Sequence, residues 1–181
     1  MPNFILTGTP GAGKTAILRR LEVRGHAVVE EAATDVIALS QALGDAEPWR
    51  DPGFADHVLE LQQRRQRAAG RAGHGIVVFD RSPFCTLALC RYGGRPPSRR
   101  LRDEVERLTA ERFYERTVFF VRNQGFVERT AARRIGLDDA LTFERLHEQT
   151  YRDQGFDLLE VSAGPLPERT AVIEKFLETF P

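Results

Sequence analysis

The chain has 181 residues, 41% of them apolar and 29% charged, the size and make-up of one soluble globular domain. Basic and acidic residues number 26 each, so the formal net charge is zero, which argues against a dedicated nucleic-acid binder and a polybasic membrane anchor. No apolar run approaches the roughly 18 residues of a spanning helix, no signal-peptide pattern opens the chain, and Cys85 and Cys90 are too few for a disulfide framework; a cytoplasmic protein with no membrane contact is expected.

Phe4–Thr7 is a short apolar run ending in a glycine-rich turn and reads as the first strand. Ile17, Leu18 and Leu21 give residues 14–24 a helical period. Ala27–Val29 reads as a second strand that ends at Glu30-Glu31, and Val36, Ile37, Leu39 and Leu43 predict a helix over 32–43. Pro48 and Pro52 break the chain around Trp49, and a longer helix follows over 54–72. Gly75–Asp80 is continuously apolar up to its final aspartate, as a central parallel strand covered on both faces should be. Helices are expected over 83–91 and 98–113, separated by the Pro/Gly loop Tyr92–Ser98. A strand at 117–121, helices at 125–135 and 138–153, a strand at 156–161 and a helix at 168–179 complete the chain. Five strands alternating with helices predict an α/β domain, a parallel sheet with helices on both faces, over residues 1–181.

Gly8-Thr9-Pro10-Gly11-Ala12-Gly13-Lys14-Thr15 matches G-x-x-x-x-G-K-[ST] at every fixed position, directly after a strand and directly before a helix. Glycines let backbone N–H groups turn toward phosphates, and the following helix, through Ala16, points its positive end at them. Lys14 is one of only two lysines in the chain. It is expected to reach the β- and γ-phosphates of ATP, and Thr15 to ligate Mg²⁺. Asp80, closing the apolar strand, is the candidate second Mg²⁺ ligand. Arg81 suits phosphate recognition through its planar fork, and by resemblance to deoxynucleoside and thymidylate kinases it is also a candidate to reach the acceptor.

At the other strand end, Glu30 and Glu31 are candidates to meet an acceptor, with Glu31 or Asp80 as the base that takes the hydroxyl proton. Trp49 is a candidate wall for the acceptor pocket. Arg129 and Arg133 are neighbours on one helix face, with Arg134 beside them; by resemblance to nucleotide and nucleoside kinases, which hold a lid at this position, they are candidates to close over the transferring phosphoryl. By resemblance to small P-loop kinases, the loop 162–166 is expected to lie against the nucleobase. His26, His57, His74 and His147 show no metal spacing, and the arginines of 91–102 read as a solvated face.

Asp80-Arg81-Ser82 resembles the Asp/Glu-Arg-Ser/Gly motif of deoxynucleoside and thymidylate kinases. With Phe4–Thr15, Val29–Ala33, Leu43-Gly44 through Pro52, Phe79 through Ala88, and Tyr151 through Val161, nearly the whole chain resembles P-loop kinases of the nucleoside/nucleotide kinase-like group. More narrowly it resembles the AAA-like ATPase/kinase family that includes the ribosylnicotinamide kinase domain of the bacterial NAD-regulator protein. Thr34 stands where that family often has an arginine, and Ile135–Asp139 looks like an extra turn. The resemblance implies strand order 2-3-1-4-5, a small helical lid at about 123–140, and Mg²⁺-ATP-dependent transfer to the hydroxyl of a small acceptor. Homo-oligomerisation is left open. The alternative is a regulatory ATP- or GTP-binding switch acting through a protein partner. A GTP switch would carry an Asn/Thr-Lys-x-Asp base-reading motif, and no lysine occurs between residues 15 and 174. A nucleic-acid end kinase is a third reading, disfavoured by the zero net charge.

Overall fold

The structure is a computed structural model and describes residues 2–73, 75–125 and 136–180. Five parallel strands form one sheet: β1 (Asn3–Gly8), β2 (Ala27–Val29), β3 (Val77–Asp80), β4 (Thr117–Val121) and β5 (Asp157–Val161), in the order β2-β3-β1-β4-β5. The order is the one the resemblance implies. The helices are α1 (Lys14–Val23), α2 (Ala32–Ala42), α3 (Phe54–Ala72), α4 (Pro83–Tyr92), α5 (Arg99–Ala110), α6 (Leu137–Asp153) and α7 (Leu166–Thr179), with a 3-10 turn at Pro48–Arg50.

The central strands are apolar on both faces because both faces are covered. Phe4, Leu6, Val78, Phe119 and Val121 point to one side, where they pack on Ile17, Leu18 and Leu21 of α1 and Ile173 and Leu177 of α7. Ile5, Val77, Phe79 and Val118 alternate to the other side. There they meet Leu59 of α3, Phe84 and Leu87 of α4, Leu101 and Val105 of α5 and Tyr151 of α6. A smaller cluster of Ala32, Phe54 and Val58, with Val36, Ile37, Trp49 and Leu61, joins α2 to α3.

Two helix boundaries depart from expectation. The helix predicted to reach residue 113 stops at Ala110, because Arg112 takes a positive φ of 48°. Phe113 and Tyr114 then turn onto Phe79 instead of continuing the helical face. The last helix starts at Leu166, not 168, since Pro165 serves as its N-cap and Pro167 lies in the first turn, where no intrahelical N–H is needed. The expected helix 125–135, and with it most of the lid, lies outside the described residues apart from Gly125. Cys85 and Cys90 are free and buried. Among the described residues no helix is long and apolar enough to cross a membrane.

Candidate active site

All five strands run the same way, so their C-terminal ends open on one edge of the sheet, where ligands of such sheets bind. β1 runs into the phosphate loop, β2 into Glu30-Glu31, β3 into Asp80-Arg81-Ser82, β4 into Arg122–Gln124 and β5 into Ser162–Gly164.

The loop turns tightly, with Ala12 N–H donating to the Thr9 carbonyl at 3.2 Å. Gly8 has φ 140°, and a Cβ there would lie 2.1 Å from the Val121 carbonyl oxygen, so β1 and β4 meet at a distance only glycine allows. Gly13 has φ 84°, and a Cβ there would press within 2.9 Å of Arg169 Nη1. Gly8→Ala is therefore expected to cost about 3 kcal/mol or more through overpacking and strain together; a urea unfolding midpoint equal to wild type would contradict this.

Lys14 opens α1 and is 5% exposed. Its Nζ donates to the Thr9 carbonyl at 2.9 Å, which folds the loop around the ammonium. Burial, and then the charge of Arg81, lower its pKa to about 8 against the opposing pull of Asp80 and Glu31. Thr15 and Ala16 follow in the first turn of α1, both exposed. Asp80 is buried, pairs in register with Leu6, and lies within electrostatic reach of Lys14.

Arg81 is the centre of the arrangement. It is 9% exposed and holds a positive φ of 72°, an unusual backbone for a non-glycine residue. Its Nε donates to Glu31 Oε1 at 2.6 Å, and its Nη1 lies 3.2 Å from His147 Nε2. The other oxygen of Glu31 accepts from Thr34 Oγ1 at 2.8 Å, so the threonine that departs from the family pattern fastens the carboxylate. Burial raises the Glu31 pKa, but Arg81, Lys14 and these hydrogen bonds outweigh it and bring it down to about 2. Glu31 is thus an ionised carboxylate near neutral pH.

Glu30 does not join this cluster. Its side chain pairs with Arg19 of α1 and its carbonyl accepts from Arg65 Nη1 at 2.9 Å. Trp49 packs on the α2–α3 cluster. Arg129, Arg133 and Arg134 lie outside the described residues.

Several residues that sequence reasoning passed over line the same edge. His147 is fully buried, and its Nδ1 lies 3.2 Å from the Phe143 carbonyl. A carbonyl only accepts, so Nδ1 carries the proton and Nε2 presents a lone pair to Arg81. Tyr151, one turn on, holds Ser82 Oγ at 2.8 Å and Cys85 Sγ at 2.9 Å. Arg169 ties the ends of β4 and β5 together, donating to the Ser162 carbonyl at 3.0 Å and the Arg122 carbonyl at 3.1 Å. The 3- and 4-residue spacing of Glu144, His147 and Tyr151 on one predicted helix was the available signal.

Two solved structures of deoxyadenosine kinase from M. mycoides share this fold. One, with bound dATP, superposes with a TM-score of 0.64 at 15% identity, covering 99% of this chain and 100% of that one. The other, with the products dCMP and a flexible dCDP, gives 0.61 at 13% identity, covering 98% and 100%. A proposed deoxynucleoside kinase of Frog virus 3 (isolate Goorha) is 34% identical over 87 residues, 46% of this chain and 43% of that protein. The chain thus matches less than half the length of that curated relative. The AAA domain profile matches residues 3–169, from β1 through the phosphate loop and the Arg81 cluster into α7. On that match the chain belongs to the AAA domain family.

Proposed function

We propose that the protein is an ATP-dependent phosphotransferase acting on a hydroxyl of a nucleoside-like small molecule. The observation that carries this reading is the Glu31 carboxylate, held by Arg81 and Thr34 just past the end of the strand two places from the one that leads into the phosphate loop. A fixed carboxylate there, separate from the Asp80 that ends β3, can receive the proton of an acceptor hydroxyl. The partial sequence likeness to a proposed deoxynucleoside kinase supports a deoxynucleoside as the acceptor.

In this reading Gly8–Ala16 bind the phosphates through backbone N–H groups and the α1 N-terminus, and Lys14 offsets their charge. The hydroxyl of Thr15 and the carboxylate of Asp80 are hard oxygen donors of the type Mg²⁺ takes, and these two residues would hold it. When bound, the ion would spread the charge developing on the β- and γ-oxygens. Glu31 accepts the acceptor's hydroxyl proton, and Arg81 holds the carboxylate in position to do so. The acceptor lies beside Glu31, on the α2–α3 side of the strand ends, with Trp49 as a candidate for its wall. The base of ATP lies toward 162–166, and Arg129 and Arg133 close over the phosphoryl in transit. Two buried free cysteines support a reducing, cytoplasmic setting.

The test is ADP release from Mg²⁺-ATP with deoxynucleosides, ribonucleosides, nicotinamide riboside, sugars and short oligonucleotides as acceptors, with Lys14→Ala as the blank. One nucleoside class is expected to raise turnover at least about a hundredfold over the water rate, since a bound, oriented acceptor outcompetes solvent. ATP binding without acceleration by any acceptor would overturn the reading and leave the regulatory switch in its place.

A further inference from the structure

We infer that His147 is a positioning residue for phosphotransfer, its Nε2 lone pair fixing the plane of the Arg81 guanidinium that orients Glu31. The inference rests on the phosphotransfer reading. A guanidinium anchored at one nitrogen alone can swing about that single contact. Arg81 is anchored at two, with Nε on Glu31 Oε1 at 2.6 Å and Nη1 on His147 Nε2 at 3.2 Å. The fork is rigid, so two anchors set both its place and its tilt.

His147 is well suited to serve as the fixed end. Its ring is fully buried and stands edge-on to Phe143 at 4.2 Å between centroids. Its Nδ1–H is given to the Phe143 carbonyl, so only one tautomer leaves an acceptor facing Arg81. Burial and the Arg81 charge hold its pKa well below the usual value, keeping that acceptor free of a proton. Because the lone pair is engaged by Arg81, His147 is not itself the base.

The helix that carries His147 is docked on both sides of it. Glu144 Oε2 accepts from the Asn123 N–H at 2.9 Å, at the end of β4. Tyr151 reaches Ser82 and Cys85 at the start of α4. Three polar contacts at a spacing of 3 and 4 residues set the register of α6 against the strand ends, and His147 is the middle one. A residue needed only for packing could be apolar here; an acceptor aimed at a cation is a directional requirement.

His147→Phe keeps an aromatic ring and removes the acceptor, whereas His147→Gln puts an amide oxygen near the place of Nε2. With an acceptor that supports turnover, His147→Phe is expected to lower kcat about tenfold or more while leaving the KM for ATP within about threefold, and His147→Gln to recover most of the loss. On the unmodified protein, nitrogen NMR is expected to show protonated Nδ1 and unprotonated Nε2, with the Nε2 signal shifting in Arg81→Lys. A folded His147→Phe with wild-type kcat, a Gln variant no better than Phe, or a protonated Nε2 would each overturn the inference. If His147→Phe does not fold, the Gln variant and the spectrum decide. Absence of acceptor-stimulated turnover in the wild type would instead sink the phosphotransfer reading, and the role of His147 in it.

Discussion

Replacing Lys14 with methionine is expected to raise the melting temperature of the nucleotide-free protein while abolishing its turnover. Lys14 is 5% exposed, and its pKa falls from 10.5 to about 8 through burial and the nearby Arg81. A folded pKa below the unfolded one means that the unfolded state holds the proton more tightly. At pH 7, below both values, the whole difference works against folding, about 3 kcal/mol at 1.36 kcal/mol per unit. Methionine fills much of the same volume without the charge but loses the hydrogen bond to the Thr9 carbonyl, about 1 kcal/mol. The net gain is about 2 kcal/mol, or roughly 4–8 °C for a domain of this size. Mg²⁺-ATP should raise the melting temperature of the wild type and leave that of the variant unchanged, and kcat should fall about a thousandfold or more. A thermal scan that places the variant below the wild type would show that the ammonium is compensated where it sits. The site holds this charge in a place that harms stability, as expected where phosphate is the missing counter-charge.

The parts legible in the sequence are those whose chemistry is local. The phosphate loop is a contiguous run, and its strand–turn–helix setting sits within the same twenty residues. The central strands are legible because burial on both faces leaves no polar alternation to mistake. Strand order came from the family resemblance, since no local pattern encodes which strands are neighbours. The choice between Glu30 and Glu31 turned on something the sequence does not state. Adjacent residues leaving a strand point to opposite faces, and only the packed sheet shows that one face holds Arg19 and the other Arg81. His147 shows no metal spacing in the sequence, and its partner Arg81 lies 66 residues away, brought to it only when α6 packs against α4 and β5. The early end of α5 was hidden for a related reason. Phe113 and Tyr114 continue the apolar pattern but are claimed by Phe79 from the sheet.

The Glu31–Arg81 pair is the second place where a single change should have a large effect. Arg81 is 9% exposed and Glu31 23%, so the pair is largely removed from water. Glu31→Leu leaves a buried guanidinium next to the Lys14 ammonium without its nearest counter-charge, and is expected to destabilise by about 3–5 kcal/mol. Arg81→Met in the same chain removes the stranded cation and adds no backbone strain that arginine does not already bear at φ 72°. The double variant should therefore be more stable than Glu31→Leu alone, a coupling that equilibrium unfolding reads directly. The pH dependence follows from the same pair. The Glu31 carboxyl lies at about 2 in the folded protein against 4.5 when unperturbed. A depressed folded pKa places its stabilisation in full above pH 4.5 and removes it as the pH falls toward 2. Glu31→Gln keeps the shape without the titration, so its unfolding free energy should fall less steeply over that window than the wild type's, with a kcat lower by about a hundredfold to ten-thousandfold. Equal acid slopes for the two proteins would show that the pair does not depress the Glu31 carboxyl. A Glu31→Gln kcat within about threefold of wild type would release Glu31 as the proton acceptor, leaving Asp80, within electrostatic reach of Lys14, to be tested in its place.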